Sequence, residues 1–149
     1  MRQSLTRRLP YSPEQLFALV ADVERYPQFV PWVSELRTWN RRPGGEGITV
    51  FDAEARVRFA IIRERFATRV KLDTGALVID VNLLSGPFKR LENRWSFTPG
   101  EAGTEVRFGI DFEFGSRLLE RILAANAHRA TTRIMACFED RARALYGSP

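Results

Sequence analysis

The feature that most limits how this chain can fold is an alternation of apolar and polar residues between Trp32 and Phe114. A period of two is typical of a β-strand that turns one face to a core and the other to water. Every odd position from Phe51 to Ile61 is apolar, and the phase then changes, which predicts a bend or turn near 62–64. Glycine- and proline-containing turns divide the segment further, at 43–45, 73–75, 85–87 and 99–103. The segment is therefore predicted to form consecutive antiparallel strands, with one face of the sheet buried and the other exposed to solvent.

Helices are predicted on both sides of the strand region. Ser12, Pro13 and Gln15 form an N-cap, a proline at the first helical position and a capping-box residue, which predicts a helix after a short opening strand. Prolines at 27 and 31 end that helix early, so a second short helix or an irregular aromatic segment is expected over residues 26–32, here called the elbow. Residues 116–146 lack glycine and proline and carry apolar residues at helical spacing, which predicts one helix about 45 Å long.

These elements predict a single α+β domain over residues 1–149. A curved antiparallel sheet of about six or seven strands would wrap around the long C-terminal helix, with two short helices after the first strand. A sheet of that size has more concave surface than one helix fills. The central turns of the helix carry short side chains that leave space beside it, at Ala124, Ala125, Ala127 and Ala130. We therefore expect an elongated apolar cavity between sheet and helix, in the range of roughly 300 to 1,000 Å³ that holds small molecules.

Composition excludes several classes of protein. With one cysteine, Cys137, and one histidine, His128, the chain has no disulfide framework and no usual thiolate or multi-histidine metal site, and these two residues are the only possible catalytic dyad. No apolar stretch is long enough to cross a bilayer and none is typical of a secretion signal, so we expect a cytoplasmic protein, at most peripheral at the inner face of the membrane.

The net charge of +5 favours weak attraction to an anionic partner, such as phospholipid headgroups or ribosomal RNA. The arginines are scattered among acids, and no nucleic-acid recognition motif is present. Most of them are therefore interpreted as solvated strand positions, and DNA binding is not expected. Asp111 and Glu113, together with Glu105 and Arg107, are likewise predicted to lie on a solvent face.

Three segments carry a resemblance to a known family: residues 26–32 (YPQFVPW), residues 86–91 (GPFKRL) followed by WSF at 95–97, and residues 137–142 (CFEDRA). In this order they resemble the coenzyme-Q-binding branch of the START-like helix-grip superfamily, often labelled polyketide cyclase/dehydrase. The resemblance implies a non-catalytic protein that holds ubiquinone or a similar isoprenoid lipid inside the grip, as a carrier or chaperone in respiration or quinone biosynthesis. It implies no cofactor beyond that ligand. The basic surface would bring the cavity mouth into transient contact with an anionic membrane.

Two alternatives remain. Relatives in the same family are described as ribosome-association toxins, so inhibition of ribosomal subunit joining is one, favoured by the positive charge. An aromatase/cyclase enzyme would use the same kind of cavity, but it needs acid and base groups inside, where the predicted strand positions are almost wholly apolar.

No residue is predicted to be catalytic or to bind a metal. The elbow is interpreted as either a gate at the cavity mouth or a plug of the core, Trp39 and Trp95 as buried, Cys137 as a small buried residue, and His128 as exposed. The predicted ligand contacts are the apolar positions of the elbow, of the inner strand faces and of the inward face of the long helix. They are Tyr26, Phe29, Val30, Trp32, Phe51, Ala53, Phe66, Phe88, Leu91, Trp95, Phe108, Ile110, Phe112, Leu119, Leu123, Ala127, Ala130 and Ile134.

Overall fold

The computed structural model describes residues 1–59 and 62–148 and has the predicted α+β architecture. Seven antiparallel strands form one sheet in the order β1-β7-β6-β5-β4-β3-β2, and helices follow β1 and β7. The strands are β1 Arg2–Leu9, β2 Val33–Gly45, β3 Ile48–Phe59, β4 Ile62–Asp73, β5 Val78–Ser85, β6 Phe88–Gly100 and β7 Gly103–Phe114. The helices are α1 Pro13–Ala21, a 3₁₀ helix Val23–Gln28, α2 Arg117–Ala124 and α3 Ala127–Tyr146.

The capping signal at the start of α1 is present as predicted. The Ser12 side chain accepts a hydrogen bond from the Gln15 amide at 3.1 Å, and the Gln15 side chain accepts one from the Ser12 amide at 3.0 Å. The helix buries Leu16, Phe17, Leu19 and Val20 against the sheet. The prediction of two short helices after the first strand is confirmed.

The prediction of one uninterrupted helix over residues 116–146 is wrong. The chain leaves the helix at Ala125 and Asn126 and then begins the 20-residue α3. The Asn126 side chain donates a hydrogen bond to the Ile122 carbonyl at 3.0 Å, and the Asn126 backbone carbonyl accepts one from the Ala130 amide at 2.9 Å. Asparagine is favoured at helix ends because its amide can replace backbone partners there, so it interrupts a segment whose alanines would otherwise continue the helix.

The phase change after β3 comes from a strand reversal. Phe59 ends β3 and Ile62 begins β4, so the predicted turn at 62–64 is wrong in position, because those residues are already in β4. Ile61, which was predicted to close the alternation of β3, lies outside the described residues. The turns predicted at the other glycine and proline clusters coincide with strand ends.

The sheet has two ends that differ in what covers them. The α1 end holds the turns at 46–47, 74–77 and 101–102 and is covered by α1 and the C-terminal half of α3. The α2 end holds the turn at 86–87, the start of β2 and the end of β7; α2 contacts β7 there, and Arg133 of α3 lies near Trp32. Among the described residues, no helix is long and apolar enough to span a bilayer.

Candidate ligand-binding site

Side chains fill the concave face of the sheet from its α1 end to its middle. The most deeply buried large residues are Phe51, Ile79, Met135, Val70 and Val106. Five of the predicted contact residues belong to this core and are buried: Val30, Phe51, Ala53, Trp95 and Phe108. The expectation of one elongated cavity along the whole grip is therefore wrong in this half, because the space under α3 is occupied by protein.

The first part of the elbow packs against this core. The rings of Tyr26 and Phe29 meet the ring of Phe138 on α3 edge-on, at centroid distances of 5.2 and 5.1 Å, and Trp95 approaches Phe138 from the sheet at 4.9 Å. The Tyr26 hydroxyl donates a hydrogen bond to the Val20 carbonyl. Burial, with a smaller contribution from Asp22, raises the pKa of the Tyr26 phenol well above its ordinary value. Tyr26 and Phe29 thus act as a plug that joins the elbow to α3.

Trp32, at the other end of the elbow, lies in a different environment. It is half-buried, its ring is 6.4 Å from that of Phe59, and the Arg133 guanidinium lies 5.7 Å from its centroid. The Trp32 carbonyl accepts a hydrogen bond from the Arg58 amide at 2.7 Å, which holds it beside the end of β3. Trp32 is therefore at the α2 end.

A second group of rings lines the inner face at the α2 end. Phe66 and Phe88 are 5.4 Å apart, Phe88 and Phe114 are 4.5 Å apart, and Phe112 is 5.5 Å from Phe114. Of these four rings only Phe114 is buried; the other three are half-buried. The structure thus brings predicted contacts Phe66, Phe88 and Phe112 together and leaves part of each ring uncovered.

The helix at this end of the sheet, α2, is loosely packed. α2 buries none of its residues, and Leu118 is 65% exposed. The Ser116 side chain caps α2 by accepting the Leu119 amide, and the Glu120 carboxylate accepts the Phe114 amide at 2.9 Å. α2 is thus joined to the end of β7 by polar contacts, whereas Leu118 is exposed and Leu119, Ile122 and Leu123 are half-buried.

The remaining predicted contacts also lie toward this end or between the two groups. Leu91 and Ala127 are buried, whereas Leu119, Leu123, Ala130, Ile110 and Ile134 are half-buried. Two surface depressions, of about 330 and 380 Å³, are present at the β6–β7 turn and across β5, β6, β7 and β1. Ile110 is the one predicted contact that lines either of them, and neither corresponds to the cavity expected between sheet and helix.

Two other sequence predictions need correction. Trp39 is 41% exposed on the outer face of β2, with the Arg37 guanidinium 5.3 Å from its ring, and is not buried as expected. In the described part of the chain the outer face of β2 has no covering element, so the large ring of Trp39 stays in water.

Cys137 was expected to be buried, but it is only half-buried.

Other polar predictions are confirmed. His128 is exposed and lies nine positions before Cys137 on the same helix, which corresponds to a rise of about 13.5 Å, so the two do not form a dyad. Asp111 and Glu113 lie on the outer face, where the Arg90 guanidinium contacts them at 3.0 and 3.2 Å. Hydrogen bonding to Arg90 lowers the pKa of Asp111.

Sequence reasoning missed a buried carboxylate on the outer face. Asp52 is 4% exposed and accepts hydrogen bonds from Arg69, at 2.9 Å to Oδ1, and from the Asn40 amide at 3.3 Å. The bond from Arg69 is the largest cause that lowers the pKa of Asp52 below its ordinary value of 3.8. The strand register that places Arg69 opposite Asp52 is a signal that could have found this pair, once the β3–β4 hairpin was predicted.

Comparison with known proteins agrees with this architecture. A solved START superfamily protein from Mycobacterium smegmatis, 23% identical, has the same fold with a TM-score of 0.79 over 97% of this chain and 98% of that chain. The solution structure of an 18 kDa protein from Caulobacter crescentus is 53% identical, with a TM-score of 0.84 and 99% of both chains covered. The chain thus has the fold of a START superfamily protein, with the sheet curved around a C-terminal helix.

Sequence comparison identifies the family. The family described as "Polyketide cyclase / dehydrase and lipid transport" matches residues 9–139, and the chain belongs to it. A curated relative, "Ribosome association toxin RatA" of Rickettsia prowazekii, is 34% identical over 141 residues, which are 93% of each chain. "Coenzyme Q-binding protein COQ10 homolog B, mitochondrial" of Xenopus laevis is 29% identical over 152 residues, which cover 97% of this chain and 59% of that protein. The resemblance drawn from the three motifs is confirmed at the level of the family.

Proposed function

We propose that this chain binds an isoprenoid lipid of the ubiquinone type between α2 and the inner face of the sheet at its α2 end, as a carrier or chaperone. The observation that carries the proposal is the group of half-buried rings Phe66, Phe88 and Phe112 at the same end of the sheet as α2, a helix that contacts β7 and buries none of its residues. Apolar surface left half-covered in a monomer commonly marks a binding site. The coenzyme Q-binding name of one relative supports the choice of ligand.

The energetics favour a ligand with a long apolar tail. Burial of each methylene-sized group is worth roughly 0.8 kcal/mol, so two or three isoprene units would bind without a strong polar anchor. Edges and faces of phenylalanine rings provide the contact surface for such a tail. In this proposal Leu119 and Leu123 of α2 contact it from above, with Ala130 of α3 leaving room beside them.

Loading requires access from a membrane. The exposed Leu118 lies between Arg117 and Arg121 on α2, and both arginines are exposed. An apolar side chain flanked by cations is suited to transient contact with an anionic lipid surface. We therefore propose that α2 meets the membrane and moves aside when the lipid enters.

We also propose that the chain is not an enzyme. By strand register Glu64 faces inward opposite Val57, and it is the one carboxylate among the described inner-face strand positions at the α2 end. General acid–base chemistry on a folded polyketide needs positioned proton donors and acceptors, and one carboxylate provides a single such group. Glu64→Gln is expected to leave isoprenoid binding unchanged.

The test compares two alanines on the same helix. Ala130→Phe adds a ring at the proposed site, whereas Ala144→Phe adds the same ring at an exposed position near the C-terminus of α3. Native mass spectrometry with a short-tailed ubiquinone should show one bound quinone for the parent chain and Ala144→Phe, and at least about tenfold weaker binding for Ala130→Phe. Equal occupancy of both variants would contradict the proposed site, and no quinone on the parent chain would contradict the ligand.

Association with the ribosome is a second candidate function. It is favoured by the names of the relatives that are 34% identical and by the net charge of +5. The test is sedimentation of the purified chain with isolated ribosomal subunits at moderate salt. Co-migration that falls as salt rises supports this candidate, and failure to co-migrate contradicts it.

A further inference from the structure

The outer face of β2, β3 and β4 carries charged residues in rows that cross the three strands. In the rows nearer the α1 end, carboxylates separate the cations. Asp52 is in contact with Arg69 at 2.9 Å and Arg42 at 3.9 Å. Glu54 is in contact with Arg37 at 3.3 Å and with Arg65 of β4 at 3.9 Å. Each of the two carboxylates in this part of the face therefore lies between two arginines, although the cations outnumber the carboxylates.

Toward the α2 end of the same strands, arginines face each other with no carboxylate between them. Arg56 lies directly opposite Arg65, and Arg58 lies directly opposite Arg63. We call these four residues the arginine quartet; all four are exposed. Directly opposed like charges destabilise an antiparallel pair, so these two pairs are not there for the stability of the hairpin.

Carboxylates compensate the quartet only in part. Arg56 contacts Glu35 at 3.3 Å, but both side chains are more than half exposed, at 52% and 59%. Arg65 reaches Glu54 only at 3.9 Å. In the part of the chain that the structure describes, neither Arg58 nor Arg63 has a carboxylate within 4.0 Å. The quartet is therefore a concentration of positive charge that is open to a partner.

We propose that the arginine quartet, together with Trp39, is a binding surface for a single-stranded segment of RNA. Each guanidinium can hold a phosphate with two parallel hydrogen bonds. The two pairs are separated by about 6.7 Å along the strands, because successive residues rise about 3.3 Å. Two parallel rows of cations suit a chain of repeated phosphates better than one isolated anion.

Trp39 adds a contact that phosphate binding alone does not need. Its ring is 41% exposed on the same face, beside Arg37 at 5.3 Å. Exposed rings on sheets stack on unpaired bases, and this stacking tolerates any base sequence. The surface thus offers both kinds of contact that proteins use for single strands.

The extent of the surface distinguishes RNA from a membrane. Trp39 lies opposite Asp52, six residues before Arg58 on β3, so the face extends about 20 Å from Trp39 to the outer arginine pair. A bilayer that meets the α2 end would reach Arg58 and Arg63 but not Trp39. A nucleotide chain can follow the whole face. This proposal rests on the second candidate function, to which it gives a surface, and is independent of the isoprenoid ligand inside the grip.

The experiment measures anisotropy of a fluorescein-labelled, unstructured RNA of about 20 nucleotides between about 50 and 200 mM salt. Arg58→Gln/Arg63→Gln is compared with Arg8→Gln/Arg129→Gln, which removes the same charge from two exposed arginines elsewhere. The quartet variant should raise the Kd at least about tenfold and reduce the salt slope by about 1.4, since each single-strand phosphate contact contributes about 0.7. The control should change the Kd less than about threefold, and Trp39→Ala should weaken binding without changing the slope.

Several results would overturn the proposal. The first is that the parent chain does not bind RNA, and the second is that the quartet and control variants lose RNA affinity equally. The third is that the quartet variant loses binding to phosphatidylglycerol vesicles while its RNA affinity is unchanged. If the parent chain and the quartet variant co-sediment equally with ribosomal subunits, the second candidate function stands and the quartet proposal falls. Thermal unfolding checks the fold: the quartet variant should unfold at the same or a higher temperature, because it removes opposed like charges.

Discussion

The α1 and α2 ends of the grip are built from the same strands with the same alternation of apolar residues, yet they are packed differently. At the α1 end, Phe51, Val70 and Ile79 are almost fully buried under α1 and the C-terminal half of α3. At the α2 end, Phe66 and Phe88 are half-buried, and the nearby helix α2, which contacts β7, buries none of its own residues. Inward apolar residues thus define where a core or a ligand can be, and the covering helices decide which of the two is present.

The largest expected effect comes from removing a ring at each end. Phe138→Ala removes the ring that joins Tyr26, Phe29 and Trp95, and should lower the free energy of unfolding by about 3–5 kcal/mol. Phe88→Ala should cost about half as much or less, because part of that ring is already in water. Urea denaturation measures both, and equal costs would show that the two ends are packed alike.

Glycine substitutions give the next effect. Gly86 has φ +146°, and a Cβ there would lie 2.5 Å from the Cβ of Phe66, so Gly86→Ala should destabilise the fold by about 1–3 kcal/mol and displace that ring. Gly100, at the α1 end, is the control, because a Cβ added there would meet no atom within 4 Å. Gly86→Ala should also weaken quinone binding, whereas Gly100→Ala should not. Unchanged binding by a folded Gly86→Ala chain would remove Phe66 from the site.

A pH titration tests how much the Asp52–Arg69 ion pair, on the outer face of the sheet, stabilises the fold. Because Arg69 lowers the pKa of Asp52 in the folded chain, the pair stabilises the fold above the unfolded-state pKa, and this contribution is lost as the pH falls through the folded value. The stability difference between the parent chain and Asp52→Asn should therefore be constant near neutral pH and shrink below about pH 4. A difference that stays constant in acid would show that Asp52 contributes no pH-dependent stability.

The smallest effect concerns two exposed leucines. Leu118 on α2 and Leu145 on α3 are 65% and 50% exposed, so Leu118→Gln and Leu145→Gln should each change the free energy of unfolding by no more than about 0.5 kcal/mol. Only Leu118→Gln should slow the transfer of a quinone from phosphatidylglycerol vesicles. Equal transfer rates would contradict contact between α2 and the membrane.

Most of the fold was predictable because its signals are local. The alternation along β3 and β7, the capping residues Ser12 and Gln15, and the turn glycines each act within a few residues of their own positions. The break at Asn126 was missed because helix propensity was read across an alanine-rich segment without weighing one asparagine. The burial of Asp52 was missed because it depends on which arginine lies opposite, which is known only when the strands are paired.

The candidate site was predictable only in part. The inward positions follow from the alternation, but alternation alone does not separate Phe51, which is fully buried, from Phe66, which is not. The difference depends on where α2 and α3 lie over the sheet. The exposed position of Trp39 depends in the same way on the absence of a covering element over β2 among the residues that the structure describes.

The most direct test of the two-ended account is photo-crosslinking with a diazirine-bearing isoprenoid quinone, followed by peptide mapping. The account predicts adducts on Phe66, Phe88 and Phe112 and on Leu119 and Leu123, with competition by unmodified quinone. Adducts concentrated on Phe51, Val70 and Ile79 would contradict it, as would labelling that unmodified quinone does not reduce.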